Sequence, residues 1–299
     1  MGNAAHLKIA VMGAGGIGSY LGGVLARSGA DVTLICRGRH LAAIRERGLA
    51  VSSPKHSFSV QVAARDDCAG RADVILQAAK LYQLEASTRQ MLPMVGEGTT
   101  VLPLQNGVTA VEDVAAIVGA DKVLGATVFL NARLTAPGAV DSRSEMDTVV
   151  FDERARAFID VCKAAGIDAR SSADIRAEQW RKFLPVAGLS ALSCLSRQPI
   201  GPVRDEPKLR ALYRQAMSEV AALARAKGVV LEADVVERML ALAERYKYDA
   251  RVSMLEDLEA GRPLELEWLS GYVSREAARL GVPTPFHDMA YACLKPLSR

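Results

Sequence analysis

Short apolar runs alternate with amphipathic segments through the first half of the chain. Each run is bounded by turn-forming residues, which is the pattern of buried strands, and helical periodicity fills the intervals. The predicted strands cover residues 7–12, 31–36, 49–51, 58–62, 73–76, 99–104, 123–128, 139–140 and 148–151. Residues 49–51 and 58–62 flank a turn-rich segment and predict a β-hairpin. The alternation as a whole predicts an α/β fold with a doubly wound, mainly parallel sheet.

Helical periodicity alone governs the second half of the chain. Within the first half, two helices are predicted between residues 80 and 118, ending near residues 94 and 118. After residue 170, in contrast, long helical periods follow one another without strands. The long helices are predicted at residues 174–193, 206–227, 232–258 and 264–280, with glycine and proline at the breaks. We therefore predict two domains, residues 1–170 and an all-α domain at residues 171–299. We expect them to pack around a cleft, where ligand sites are common.

The first predicted strand runs directly into a glycine-rich turn that opens a helix. Gly13, Gly15 and Gly18 stand at G-x-G-x-x-G spacing, with Gly16 and Ile17 between them. In a βαβ unit the first glycine makes the tight turn, the second lets the backbone approach a pyrophosphate, and the third lets helix pack on strand. The pyrophosphate then lies at the positive end of the helix dipole. Because residues 31–36 supply the second strand, a Rossmann-like dinucleotide site is predicted rather than a chance glycine-rich turn.

The end of the second strand indicates which dinucleotide is bound. An NAD site has an acidic residue about 20 residues beyond the glycines, which accepts a hydrogen bond from the ribose 2′-hydroxyl. Here the strand ends in Arg37, followed by Gly38 and Arg39, with no acid. A guanidinium suits a phosphate and an acid would repel it. The alternative is a solvated basic loop; the prediction is NADP(H).

Bulk composition favours an enzyme over several other classes. Half of the residues are hydrophobic, yet no run approaches the roughly 18 apolar residues of a membrane span. The net charge is only +3 and there is no block of basic residues, so the sequence does not indicate nucleic-acid binding. The five cysteines are scattered and the four histidines lack metal-ligand spacing, so no metal is predicted. The start of the chain has neither a signal peptide nor a myristoylation pattern. We expect a cytoplasmic protein that acts on a small molecule, with a homodimer as the assembly to test.

Two polar residues follow predicted strands at the carboxyl edge of the sheet. Lys80 comes after the strand at residues 73–76, and Asn106 comes after the strand at residues 99–104. At that edge both would face the cofactor. A surface lysine is the alternative for Lys80. For Asn106, which precedes Gly107, the alternative is a type I′ turn.

Three further polar residues are candidates in the helical half. Lys182 lies on an apolar helix after Trp180, where a lysine either extends to water or, if partly desolvated, becomes a proton donor near neutral pH. Ser253 lies near the end of the helix predicted at residues 232–258, shortly before a Gly-Arg-Pro turn. Glu265 follows this turn, where an acid in a first helical turn also suits the helix dipole.

In order and spacing these residues resemble the ketopantoate reductase family, which reduces 2-dehydropantoate to pantoate with NADPH. The resemblance extends nearly from end to end of the chain. It implies a Rossmann domain joined to a helical domain, with Lys182 as the lysine that protonates the carbonyl oxygen. It further implies that Glu265 engages the substrate hydroxyl and that Ser253 lies near the substrate carboxylate. Asn106 and Lys80 match residues that hold the nicotinamide ribose and help to assemble the site.

The chain departs from the family on the helix of the catalytic lysine. Family members carry asparagines four and eight positions after that lysine, and this chain has Val186 and Ser190. Positions four and eight residues apart share one helix face, so the polar contacts to substrate are missing or rearranged. Two alternatives therefore stay open: an NADPH-dependent reductase of a different 2-oxo acid or of an imine, and a non-catalytic dinucleotide sensor.

Overall fold

The computed structural model describes residues 7–55, 57–143 and 147–298. Residues 1–6, where we predicted no targeting signal, and residue 56 of the predicted hairpin turn lie outside this part of the chain. The strands of the described residues are β1 (Lys8–Met12), β2 (Asp31–Ile35), β3 (Leu49–Ser52), β4 (Ser57–Val60), β5 (Ala63–Arg65), β6 (Val74–Gln77), β7 (Thr100–Pro103), β8 (Ala126–Phe129), β9 (Ala132–Ala136), β10 (Ala139–Ser142), β11 (Thr148–Asp152) and β12 (Ala169–Ser172).

A five-stranded parallel sheet with the order β5-β2-β1-β6-β7 organises the first half of the chain. Central strand β1 pairs with both neighbours, so that Ile9 is level with Val32 on one side and Val74 on the other. Strands β1, β2, β6 and β7 are almost continuously buried, as expected of a parallel sheet covered on both faces, whereas the edge strand β5 is partly exposed. The predicted doubly wound, Rossmann-like fold class is confirmed.

Two smaller sheets accompany the parallel sheet. One has the order β4-β3-β10-β9 and contains the predicted hairpin, in which β3 and β4 pair antiparallel. The other has the order β12-β11-β8. An isolated parallel bridge between Val101 and Val123 connects the chain entering β8 to β7. Sequence periodicity located β3, β4, β8, β10 and β11 but missed β9 and β12. It could not assign strands to separate sheets, because the pairing partner of a strand is a non-local choice.

The helices of the described residues are α1 (Gly16–Arg27), α2 (Gly38–Arg47), α3 (Leu84–Gln90), α4 (Ala110–Val118), α5 (Arg156–Ala164), α6 (Ile175–Ser196), α7 (Ile200–Asp205), α8 (Pro207–Ala226), α9 (Val235–Ala243), α10 (Ser253–Glu259), α11 (Ser270–Leu280) and α12 (Pro285–Leu294). Within the described residues no helix is both long and apolar enough to cross a membrane. The second half is helical, as predicted, and α6 and α8 lie close to their predicted bounds.

The single helix predicted at residues 232–258 is wrong, because the chain leaves the helical path between α9 and α10. In that interval the carbonyl groups of Tyr248 and Ala250 accept hydrogen bonds from the N–H groups of Gly201 and Ile200, at 2.9 and 3.0 Å. The first turn of a helix has N–H groups without intrahelical acceptors. The segment therefore satisfies the start of α7, and a continuous helix could not do so.

The bounds of two other predicted helices also need correction, and a further helix was missed. The helix predicted to end near residue 94 is α3, with 3₁₀ turns at Leu81–Gln83 and Leu92–Met94 on either side. The helix predicted at residues 264–280 is α11, which begins only at Ser270, and α12 was not predicted. Glu265 consequently lies in the turn before α11, and the interpretation of an acid in a first helical turn is wrong.

The chain divides into two compact units. One comprises residues up to Gln105 together with Thr109–Ile175, and the other comprises Asn106–Val108 with Arg176–Arg299. The boundary predicted at residues 170–171 falls inside β12, which pairs in parallel with β11 and so stays in the first unit. The short segment that begins at Asn106 belongs to the helical unit, which no pattern in the sequence indicates. Each unit has its own apolar core.

Candidate active site

The glycine-rich turn of the first unit is shaped by close backbone approaches. Gly13 has φ +93°, and a Cβ added there would stand 2.7 Å from the backbone nitrogen of Ala79. A Cβ at Gly18 would stand 2.4 Å from the carbonyl oxygen of Gly13 and would also crowd the side chain of Val11. Both positions therefore require glycine, the first for the turn and the third for packing α1 on β1.

Gly15 and Gly16 differ in their surroundings. A Cβ at Gly15 would meet nothing within 4 Å, and Gly15 is exposed as the N-cap residue of α1. A Cβ at Gly16 would stand 1.9 Å from the carbonyl oxygen of Ala132, so Gly16 is required for the approach of β9. The open space thus lies over Gly15 at the start of the helix, and half-buried Ile17 follows in the first turn.

The N-terminus of α1 fits an anionic group. It has no acidic residue in its first turn and no side-chain cap, and helix geometry leaves its first N–H groups without intrahelical acceptors. Together with the open space over Gly15, these features are what a pyrophosphate requires. The residues of the glycine turn therefore fit a dinucleotide.

Arg37 stands at the carboxyl end of β2, where it is the N-cap residue of α2. Its side chain is exposed, and Nη2 donates a hydrogen bond to Oε1 of Gln90 at 2.9 Å. This contact holds the guanidinium beside the strand end without neutralising its charge. The position suits recognition of a phosphate on the adenosine ribose.

A second arginine at this edge was missed by the sequence analysis. Arg65 ends β5 and is level with Ile35 of β2, and its carbonyl oxygen accepts a hydrogen bond from the N–H of Cys36 at 2.9 Å. Asp67 pairs with its guanidinium at 3.8 Å. Only the pairing register of β5 places Arg65 beside the end of β2, and a strand of three residues is too short to be recognised from periodicity.

Two glutamines hold the turn that carries Lys80. Gln77 is fully buried at the end of β6, where its Oε1 accepts from the N–H of Ala79 at 3.1 Å. The Nε2 of Gln105 donates to the carbonyl oxygens of Gln77 and Ala79, both at 2.9 Å. Lys80 follows this turn as a half-buried residue at the carboxyl end of β6. Buried Gln77 is the sequence signal that was missed, since packing alone would place an apolar residue there.

The helical unit brings Lys182 and Asn106 together across 76 positions of the chain. Lys182 lies on α6 with 9% of its surface exposed, and its Nζ donates a hydrogen bond to Oδ1 of Asn106 at 2.9 Å. The interpretation of Lys182 as a lysine extending to water is therefore wrong. Asn106 does not have positive φ, which excludes the type I′ turn.

The surroundings of Lys182 change its proton affinity. Burial lowers the pKa of the Lys182 ammonium to about 8, and the Glu265 carboxylate acts in the opposite direction. Glu265 is itself buried, at 6% exposure, in the turn between α10 and α11. A buried ammonium with a pKa near neutrality and an adjacent carboxylate form a group that can donate a proton and retain charge balance.

Three other residues singled out from the sequence also belong to the helical unit: Ser253, Val186 and Ser190. Ser253 is the exposed first residue of α10, the helix that precedes the Glu265 turn, and its side chain belongs to the same unit as Lys182. Val186 packs against the apolar core and Ser190 is buried, at 4% exposure. This face of α6 therefore offers one hydroxyl and no amide.

No group of three or more histidine, cysteine, aspartate or glutamate residues in the described part of the chain could hold a metal ion.

The structure divides the predicted site residues between the two units. The glycine turn, Arg37 and Lys80 belong to the first, and Asn106, Lys182, Ser253 and Glu265 belong to the second.

The chain is similar in sequence and in fold to known proteins. The 2-dehydropantoate 2-reductase of Mycobacterium tuberculosis H37Rv is 31% identical over 296 residues, covering 97% of both chains. A PanE/ApbA family ketopantoate reductase from Ralstonia eutropha JMP134 superposes with a TM-score of 0.91 at 30% identity, covering 97% of this chain and 98% of the other. D-mandelate dehydrogenase, solved with NADH and anilino(oxo)acetate, superposes with a TM-score of 0.90 over 97% and 98% of the chains, but at 22% identity it shows a common fold alone.

The family profiles cover most of the sequence. Residues 9–155 match "Ketopantoate reductase PanE/ApbA", and residues 174–298 match "Ketopantoate reductase PanE/ApbA C terminal". Both matches contain the residues described above, the glycine turn in the first and Lys182 with Glu265 in the second. The chain belongs to the ketopantoate reductase family of oxidoreductases.

Proposed function

We propose that this protein reduces 2-dehydropantoate to pantoate with NADPH and that Lys182 donates the proton. The observation that carries the proposal is the buried Lys182 ammonium, which is hydrogen-bonded to Asn106, has a pKa of about 8, and lies near the Glu265 carboxylate. A structural lysine has no need of such burial, which costs free energy at neutral pH. A proton donor benefits from it, because its pKa comes close to the working pH.

The residues proposed to hold the cofactor belong to the first unit, except for Asn106, which belongs to the second. The N-terminus of α1 and the open space over Gly15 fit the pyrophosphate, Arg37 fits the 2′-phosphate, and Lys80 and Asn106 are assigned to the nicotinamide ribose on the family resemblance. When bound, reduced nicotinamide supplies a hydride to the carbonyl carbon of the substrate. The protein contributes orientation and a proton.

Lys182 is proposed to act on the carbonyl oxygen. Its positive charge stabilises the negative charge that develops on this oxygen, and transfer of its proton completes the hydroxyl group. Lys182 then recovers a proton from solvent. Asn106 Oδ1 orients the ammonium throughout, Glu265 accepts a hydrogen bond from the substrate hydroxyl, and Ser253 contacts the substrate carboxylate.

The decisive experiment follows the oxidation of NADPH by absorbance with 2-dehydropantoate as substrate. We expect consumption of NADPH with formation of an equal amount of pantoate, and no consumption without substrate. A dinucleotide sensor would bind NADPH and consume none with any carbonyl compound. A reductase of another substrate would be inactive here and active within a panel of 2-oxo acids and imines.

A second candidate function is favoured by Val186 and Ser190. An apolar side chain and a single hydroxyl replace two amides on the lysine's face of α6, and a pocket without amide partners discriminates weakly in favour of a hydroxylated substrate. The alternative is therefore a reductase of a less polar 2-oxo acid, or of an imine, on the same scaffold.

Replacement of both residues by asparagine tests this specificity. We expect Val186→Asn with Ser190→Asn to raise kcat/KM for 2-dehydropantoate relative to a less polar 2-oxo acid. Each recovered hydrogen bond contributes about 0.5–1.5 kcal/mol, a few-fold to tenfold in the ratio. The ratio is measured in both proteins, with the thermal midpoint of unfolding as the control for packing damage. An unchanged ratio in a folded variant would show that these positions do not set specificity.

The pH dependence of activity follows from the lowered pKa of Lys182. The ammonium is the active form, so kcat/KM is expected to be constant well below pH 8 and to fall tenfold per pH unit above it. Stability should change in the opposite direction. Because the pKa is about 8 when folded and near 10.4 when unfolded, burial of the ammonium destabilises the fold below pH 8, and this cost disappears as pH rises from 8 to 10.4. A kcat/KM profile that stays level to pH 10 would contradict the assignment.

A further inference from the structure

Ser19 lies one turn into α1, fully buried, behind the glycine turn. Its backbone N–H donates to the carbonyl oxygen of Gly15 at 2.9 Å, and its hydroxyl donates to the carbonyl oxygen of Ala14, also at 2.9 Å. One residue thus holds two successive carbonyl groups of the turn. Because each carbonyl fixes the plane of its peptide group, Ser19 sets the orientation of the backbone where α1 begins.

The Ser19 hydroxyl is itself held by His40 of α2. Nε2 of His40 lies 3.2 Å from Oγ of Ser19, and Nδ1 accepts a hydrogen bond from the N–H of Gly138 at 3.0 Å. Since Nδ1 is an acceptor, the proton of the neutral ring is on Nε2 and is donated to Oγ. The hydroxyl proton is then directed at Ala14. Burial lowers the pKa of the His40 imidazole, which favours this neutral form.

Gly138 forms the turn between β9 and β10, and other contacts hold the same turn against α2. Arg47 donates to the carbonyl oxygen of Pro137 at 3.0 Å, and a Cβ added at Gly138 would stand 2.9 Å from the Cβ of Ala43. His40, Ala43 and Arg47 lie on one face of the helix. The His40 ring therefore has little freedom to leave Ser19.

We propose that His40 and Ser19 form a positioning relay that holds the glycine turn in the shape required to bind the dinucleotide phosphates. The relay runs from the Gly138 N–H through the imidazole and the hydroxyl to the Ala14 carbonyl. It touches only the glycine turn, which would bind the pyrophosphate common to NADPH and NADH, in contrast to Arg37, which is proposed to bind the 2′-phosphate of NADPH alone. This inference rests on the proposed function only in requiring that a nicotinamide dinucleotide binds the turn.

The test measures the dissociation constants of NADPH and NADH, with kcat at saturating cofactor. In Ser19→Ala both dissociation constants should rise by the same factor, about 3- to 10-fold, the range for one neutral hydrogen bond, while kcat is unchanged. The matched control is Ser28→Ala, which removes a hydroxyl bonded to the carbonyl of Leu25 at the other end of α1 and should change neither constant. A loss confined to NADPH, or unchanged affinities in Ser19→Ala, would overturn the relay.

Coupling between the two residues gives a second, independent readout. His40→Ala should weaken both dinucleotides, and His40→Gln should recover much of the affinity because its amide can donate to Ser19. The double variant should bind no more weakly than Ser19→Ala alone, since residues that act as one unit are not additive. Additive losses would overturn the proposal. If Ser19→Ala does not fold, Ser19→Cys retains a weaker donor and should show a smaller but equal loss for NADPH and NADH.

Failure of the proposed function is distinguishable from failure of the relay. If the unmutated protein binds both dinucleotides but does not reduce 2-dehydropantoate, the substrate assignment is wrong and the relay measurements still stand. If it binds neither dinucleotide, both proposals are overturned.

Discussion

Lys182→Ala should lower turnover by roughly 10²–10⁴-fold, the range expected when a general acid is lost, while NADPH affinity stays nearly constant. The physical reason is that Lys182 is the buried cation hydrogen-bonded to Asn106, and removal of its charge and proton leaves the developing oxyanion unstabilised. NADPH should be little affected, because the residues assigned to its phosphates belong to the other unit. The measurements are kcat at saturating substrate and the dissociation constant of NADPH by fluorescence titration.

Two further variants make the Lys182 result specific. Lys182→Met removes the charge but fills most of the space, so an equally large loss of turnover excludes a packing defect. Lys227→Ala is the matched control, because Lys227 belongs to the same unit and is paired with Glu276 at 2.9 Å; its turnover should match that of the unmutated protein. If Lys182→Ala lost cofactor binding yet kept full turnover at saturation, Lys182 would be a binding residue instead of the proton donor.

Arg37→Asp should greatly reduce or invert the preference for NADPH over NADH. A hydrogen bond to a charged group contributes about 1.5–3 kcal/mol, so the ratio of the two dissociation constants should change by roughly 10- to 150-fold. The introduced acid also repels the 2′-phosphate and can accept a hydrogen bond from the 2′-hydroxyl of NADH. Both constants are measured by titration at one ionic strength, because phosphate contacts weaken with added salt.

The control for this variant is Arg71→Asp, which makes the same change in net charge. Arg71 precedes β6 and so lies at the amino end of a parallel strand, whereas Arg37 follows the carboxyl end of β2. It should leave the NADPH to NADH ratio unchanged. Equal dissociation constants for NADPH and NADH in the unmutated protein would refute the assignment of Arg37 to the 2′-phosphate.

Sequence patterns predicted features that depend on neighbours close in the chain. The strand, glycine turn and helix of residues 7–27 are local, and so is the position of Arg37 at the end of β2; each could be read from spacing alone. The alternation of apolar runs with helical periods predicted a doubly wound sheet for the same reason. Helix bounds were predicted well where the helix ends were local glycine or proline signals, as at α8.

Tertiary structure decided the features that join distant parts of the chain. The break between α9 and α10 exists because carbonyl groups there satisfy the start of α7, almost fifty residues earlier. The burial of Lys182 and its bond to Asn106 arise from packing within the helical unit, and its lowered pKa is a consequence of that burial. Arg65 becomes a neighbour of β2 only through the register of β5.

The sequence by itself therefore determined the fold class, the glycine turn and which residue types are available for chemistry. Only the tertiary structure decided which of these residues meet, how deeply they are buried and which proton affinity they acquire. The physical reason is that backbone propensity and hydrophobic periodicity act over a few residues, whereas desolvation and hydrogen bonding between side chains depend on every element packed around the group.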